Sequence, residues 1–393
     1  LSRLQTIAVL RKATLLAGAT VALLGAGCQE LIVSGPPADI SAADRAARMA
    51  YLDSDRLWVL DLEEDISVRV ATGVEPSPCA PYYVSPDGEW VAYLSADGRP
   101  WLASTDGAQS FRLADQDVGF LSWFPDSHAI VYSAGQEIYI RRTDTAGEPQ
   151  IFSMAGLEIL SPAWSPEGRY IAFLEAMGGD EIKVMSFEPE TEQLRGLGSV
   201  SLAVTSTVAS NMDCAGILTW SPDSTKFLMN LGTSTLIFYL SGGNPILVGP
   251  SAPIREASWA HDGRALALID EAGGLWTVSA DGSNLRQMSQ QPIQGLSWSP
   301  ADHTLAYSAA DGSRVENIFL VELPRGSIRQ LTVGNAYRKV RPQWTPDGRR
   351  IVFQRLSPGG KPAGIWSASP RDSGARLVVN RGTHFSIFES RRR

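Results

Sequence analysis

Short apolar runs recur along the chain, each cut off by Gly, Pro, Asp or Ser. Trp90-Val-Ala-Tyr-Leu, Ile130-Val-Tyr-Ser, Tyr170-Ile-Ala-Phe-Leu and Arg350-Ile-Val-Phe-Gln form one set. Glu137-Ile-Tyr-Ile, Gly274-Leu-Trp-Thr-Val and Asn317-Ile-Phe-Leu-Val form a second, some residues further on. Phe111-Arg-Leu, Leu285-Arg-Gln-Met and Ile328-Arg-Gln-Leu-Thr form a third. Runs of three to five residues are too short for helices. Their β-branched and aromatic content, between turn residues, predicts antiparallel strands.

The runs belong to a repeat. Val84-Ser-Pro-Asp-Gly, Trp123-Phe-Pro-Asp-Ser, Trp164-Ser-Pro-Glu-Gly, Trp220-Ser-Pro-Asp-Ser, Trp259-Ala-His-Asp-Gly, Trp298-Ser-Pro-Ala-Asp and Trp344-Thr-Pro-Asp-Gly anchor seven units. The steps between anchors are 39, 41, 56, 39, 39 and 46 residues, near the period of a four-stranded blade. Pro presets φ for a turn, Asp bonds back to the backbone, and Gly supplies the positive φ. The repeated aspartates are therefore expected to be turn residues, not a metal or acid–base array. A Trp at one position per unit is what packing between neighbouring sheets needs.

The unit Trp-Ser-Pro-Asp-Gly, then Ile-Ala-Phe, then Arg-Gln-Leu-Thr, resembles the WD40-like repeats of TolB-type β-propellers, from about Met49 to the C-terminus. The resemblance implies an all-β, closed propeller of four-stranded antiparallel blades. Family members serve as scaffolds, binding modules and accessory domains of peptidases. Met49-Ala-Tyr-Leu, Arg56-Leu-Trp-Val-Leu-Asp and Ile66-Ser-Val-Arg-Val read as three strands of a unit without an anchor, and His384-Phe-Ser-Ile-Phe could supply the missing one. Pairing of the terminal strands would close the ring at eight blades; seven is the alternative. TolB-type propellers usually have six, so the chain departs from that model. Gly198 to Asn211, uncharged and rich in Ser, Thr and Val, reads as an irregular insertion in the 56-residue step.

Arg3, Arg11 and Lys12 precede an uncharged run from Ala13 to Gly27 of about 15 residues, short of a membrane span. Leu24-Gly25-Ala26-Gly27-Cys28 resembles the bacterial lipoprotein signal, with Leu one place further from the cysteine than usual. Residues 1–27 are expected to be a lipoprotein-type signal peptide, 28–47 a flexible tether and 48–390 one propeller domain. Cys28 would be lipidated, and the domain would face the periplasm or the cell exterior. Cys79 and Cys214 remain, either as a disulfide or as separate buried thiols.

The net charge of −8 argues against nucleic-acid binding. From Pro324 onward fifteen Lys and Arg stand against three acidic residues; before it, nineteen stand against thirty-nine. That basic sector is either solvating or a dock for an acidic partner. The chain lacks Gly-x-Ser-x-Gly, His-Glu-x-x-His, a P-loop and Cys-x-x-Cys. His128, His261 and His303 sit inside anchor turns and read as solvated. No catalytic residue, metal or cofactor is expected.

Recognition is expected from the loops entering each anchor strand: Pro81 and Tyr82, Gln116 and Asp117, Asn211 and Asp213, Arg255 and Glu256, Gln291 and Gln294, and Tyr337, Arg338, Lys339 and Arg341. The expected protein is a monomeric, envelope-located binding module for a protein or peptide. A peptidase-like hydrolase or a lyase with its site in the channel mouth is the alternative.

Overall fold

Each repeat unit forms one four-stranded antiparallel sheet, and there are eight. The computed structural model describes residues 45–391 apart from 76–80, 116–117, 119–120, 144–148, 155, 158, 177–180, 202–217, 231–233, 290, 324 and 373. The segment read as a signal peptide, Cys28, Cys79 and Cys214 lie outside the described residues, as do Gln116, Asp117, Asn211 and Asp213. Blades 2 to 8 span 82–112, 121–153, 159–201, 218–248, 254–289, 293–330 and 338–379.

Blade 1 is the composite one. Arg45–Asp53, Arg56–Asp61 and Ser67–Ala71 are its outer three strands, and Thr383–Arg391 is its innermost. Ala46 pairs with Ser390 and Met49 with Ile387 in this seam. The eight-bladed expectation is therefore the one realised, and the terminal strands pair as expected. The first strand begins at Arg45, inside the segment read as tether, because its partner strand runs on to Arg391. Residues 198–201 likewise continue the outer strand Gln193–Ser201 of blade 4 and are not the start of an irregular insertion.

The core lies between the blades. Eight apolar clusters occur, one at each junction. Leu52, Val59, Tyr82 and Val91 join blades 1 and 2. Ile318, Trp344 and Phe353 join blades 7 and 8. Met49, Val352, Ile365 and Ile387 join blades 8 and 1 and close the ring. Each blade buries apolar side chains on both faces. This explains why central strands such as Ile171–Ala176 read as continuous apolar runs instead of alternating ones.

The anchor residues stitch the ring. The indole N–H of Trp123, Trp220, Trp259 and Trp298 donates to a carbonyl of the preceding blade: Tyr83, Ala163, Thr219 and Ser258, at 3.1, 3.0, 3.1 and 3.4 Å. In each case the acceptor is the residue just before that blade's own anchor. Trp164 and Trp344 depart from this, with buried indole nitrogens that have no partner among the described residues. At their junctions the Oγ of Ser122 and Ser297 instead accepts the anchor's backbone N–H, at 3.2 Å in both. Trp259→Phe is expected to cost about 1–2 kcal/mol more than Trp344→Phe, since only the first leaves a buried carbonyl unmet. Urea-unfolding midpoints of the two variants would check it.

The anchor turns behave as the sequence predicts. Ser85, Ser221 and Thr345 donate to Asp87, Asp223 and Asp347 at 2.6, 2.5 and 2.5 Å, and each Asp caps its own turn. Ser127 and Ser224, standing where four of the other turns have Gly, keep the left-handed φ of 67° and 56°. Their hydroxyls accept the backbone N–H of Asp87 and Glu167 in the preceding blade's turn.

Candidate functional site

Antiparallel order places two kinds of connection at the same end of every blade. These are the loops entering the inner strand and the loops between the second and third strands. That end is the upper face. The Pro-Asp-Gly turns occupy the lower face, where His128, His261 and His303 are exposed.

At the upper end, five inner strands carry a β-bulge next to the channel axis. In four of them the residue three places before the anchor position is left-handed. Ser161 has φ 52°, Gly295 69°, Arg341 54° and His384 47°, with Ile387 as the anchor equivalent of His384. In blade 6 the same position is Glu256, and the bulge falls beside it at Arg255. A bulge increases local twist, so the inner strand can turn around a crowded axis. A left-handed Arg or His costs about 1–2 kcal/mol, and such strain persists where surrounding structure enforces it.

Between blades 6 and 2 these residues form a continuous polar arc. The guanidinium of Arg255 donates to the Ile293 carbonyl at 2.8 Å. The Glu256 carboxyl is buried. Burial raises its pKa to about 7 against the opposing pull of Arg255, the Leu296 N–H and Arg341. Gly295 lets the inner strands of blades 7 and 8 approach closely, since a Cβ there would sit 3.3 Å from the Arg341 Cα. His384 follows, its Nδ1 3.1 Å from the Thr383 hydroxyl. Burial, then the Arg341 cation, lower its pKa, so the imidazole is neutral at neutral pH. The Tyr82 hydroxyl closes the arc against the carbonyls of His384 and, at 2.9 Å, Ala50.

The loop residues singled out from sequence separate into groups. Gln291 and Tyr337 are exposed, and Gln294, Arg255, Arg338 and Arg341 are half-buried. Arg338 is engaged by Glu316 in a two-point ion pair at 2.8 and 2.7 Å. Pro81, Tyr82, Glu256 and Lys339 are buried and do not display themselves on a loop surface. Tyr82 in particular is a seam residue, which corrects its placement on a binding loop. Sequence reasoning placed His384 only in the closing strand. A usable signal was present: a polar residue three places before the anchor, as in Ser161, Glu256 and Arg341.

Among the described residues no group of three or more His, Cys, Asp or Glu could hold a metal ion. The arc offers two half-buried guanidinium groups and a half-buried neutral imidazole, while the Glu256 carboxyl is buried. That set suits recognition of a polar ligand carrying carboxylate or amide groups.

No protein-family model matches the chain. It is 25% identical over 162 residues to WD repeat-containing protein 35 of Homo sapiens, an overlap covering 38% of this chain and 13% of that protein. It superposes on dihydro-heme d1 dehydrogenase NirN, solved in complex with DHE, with a TM-score of 0.64 at 12% identity, covering 93% of this chain and 79% of that one. The fold is an eight-bladed β-propeller. Dipeptidyl peptidase 4 of Porphyromonas gingivalis superposes with a TM-score of 0.60 at 10% identity, covering 85% of this chain and 57% of that one. A eukaryotic initiation factor gives 0.53 at 13%, covering 88% and 98%. These likenesses concern the fold, and propeller folds carry both enzymes and interaction modules.

Proposed function

We propose that this propeller is an exported, lipid-anchored binding module of the bacterial cell envelope, recognising a protein or peptide across its upper face. The observation that carries the binding role is the arc Arg255, Glu256, Arg341 and His384. The left-handed backbone of Arg341 and His384 holds two polar side chains at the mouth of a rigid ring. A closed scaffold loses little further conformational freedom on binding, which favours affinity. The basic segment after Pro324 supports an acidic partner. The run ending at Cys28 and the likeness of the repeats to TolB-type propellers support the envelope address.

Capture from envelope extracts with the mature protein is expected to retain a specific partner. The double variant Arg341→Ala, His384→Ala is expected to lose it while melting cooperatively. Equal retention by both proteins would refute the upper face as the binding surface. Mass spectrometry of the mature N-terminus is expected to find a lipid-modified Cys28; cleavage elsewhere would refute the anchor.

One observation favours a second reading. A carboxyl poised at about pH 7, as Glu256 is, suits general acid–base work. A hydrolase or lyase would then use the same mouth, and Glu256→Gln would abolish turnover of a substrate found to shift the melting temperature.

A further inference from the structure

Blade 8 brings two cations together at the upper end of its junction with blade 7. Lys339, on the inner strand Arg338–Trp344, pairs directly across the ladder with Arg355 on the neighbouring strand Ile351–Leu356. Like charges opposite one another destabilise a sheet unless something offsets them. Neither forms an ion pair within 4 Å with a carboxylate of the described residues. Lys339 is 3% exposed, and its ammonium donates to the Gly334 carbonyl at 2.5 Å. The acidic group that acts on it is Asp311 of blade 7, whose carboxylate is already engaged by Ser313, Asn317 and Gln330.

Arg355 is half-buried, and its buried Nε has no hydrogen-bond partner among the described residues. Its guanidinium lies 3.4 Å above the centroid of the Trp366 ring. Stacking of this kind fixes the plane of the fork, so less freedom is lost when it binds a two-oxygen acceptor. Tyr337, 41% exposed, lies close enough to Arg355 to interact with it electrostatically. The upper end of this junction therefore combines a preorganised guanidinium with a second, buried cation opposite it, and among the described residues no carboxylate lies within 4 Å of either.

We propose that the upper end of the junction between blades 7 and 8 is an oxyanion-binding site, with Arg355 as the fork that grips the ligand and Lys339 as a second cation opposite it. The ligand group is a carboxylate or phosphate oxyanion. The site is separate from the arc tested through Arg341 and His384, so either can fail without the other.

Isothermal titration of the full propeller at low ionic strength tests it, with a hexaglutamate peptide and inorganic phosphate as probes. Hexaglutamate is expected to bind the unaltered protein. Arg355→Gln is expected to weaken binding at least tenfold, and Arg355→Lys, which keeps the charge but loses the fork, is expected not to restore it. Lys339→Met, which replaces a buried cation with an apolar chain of similar length, is expected to keep or raise the melting temperature while weakening binding severalfold. Arg371→Gln, exposed on the lower face, is expected to change affinity less than twofold. Competition by phosphate assigns the site to oxyanions in general, and its failure assigns the site to carboxylates; both support it. Unchanged affinity in Arg355→Gln, an equal loss in Arg371→Gln, or no binding of either probe by the unaltered protein would overturn it.

Discussion

Gly88→Ala is expected to destabilise the propeller by about 2–5 kcal/mol, as a left-handed strain of about 1–2 kcal/mol plus overpacking of about 1–3 kcal/mol. Gly88 ends the first anchor turn with φ +69°. A Cβ there would lie 2.2 Å from the Glu389 carbonyl oxygen, 2.7 Å from Phe388 Cδ2 and 2.8 Å from Ser390 Cβ. All three atoms belong to Thr383–Arg391, the strand that closes the ring. A backbone oxygen held in a ladder cannot swing aside as the end of a flexible side chain can, so the seam itself must shift. Gly98 is the internal control. It has φ +76° in a comparable Asp-Gly turn, but nothing lies within 4 Å of its added Cβ. Gly98→Ala is therefore expected to cost only the backbone strain, about 1–2 kcal/mol. Urea unfolding of both variants measures the difference. Equal losses would mean that the seam tolerates the clash, and that closure is looser than the packing around Phe388 indicates.

The second large effect depends on pH. Glu256 has its pKa raised by burial from an ordinary 4.5 to about 7. Between those values the folded protein holds a proton that the unfolded chain has released. Stability therefore falls as pH rises through that window, and above about pH 7 the deficit is constant. Two and a half units at about 1.4 kcal/mol each make it about 3 kcal/mol. Glu256→Gln removes the titration yet keeps an oxygen to accept the Leu296 N–H. The variant is expected to be more stable than the unaltered protein by about 3 kcal/mol at about pH 8, and to match it below pH 4.5. Unfolding free energies across that range check both ends. A pH-independent difference would mean that the carboxyl is ionised throughout, held by Arg255 and Arg341. A stability deficit at a mouth residue is what a site kept for recognition, and not for folding, would show.

The same two residues show why some of the molecule could be read from the chain and some could not. The turn at Gly88 was legible because its chemistry is local. Ser-Pro-Asp-Gly specifies its own φ angles and hydrogen bonds wherever it sits, so the aspartates could be assigned to turns without knowing the fold. The tryptophans were legible as packing residues because one large ring per unit has few other uses. Glu256, Lys339 and Tyr82 were misplaced on loop surfaces because sequence position located only the end of a strand. Whether that end is exposed depends on how near the neighbouring blade comes, and the approach of blades 7 and 8 at Gly295 is a property of the ring. Arg355 and Trp366 were not singled out as a site at all, since sixteen residues separate Lys339 from Arg355 and only strand register sets them opposite.

The sequence by itself determined the repeat, the four-stranded unit, its turns and the terminal strand that could complete the unanchored blade, because each depends on contacts between residues close in the chain or on a pattern seven times repeated. The tertiary structure decided which polar groups meet at the mouth and which cations lie more than 4 Å from any carboxylate of the described residues. Those relations arise between blades, where burial and charge depend on distances around a closed ring, and no local pattern encodes them.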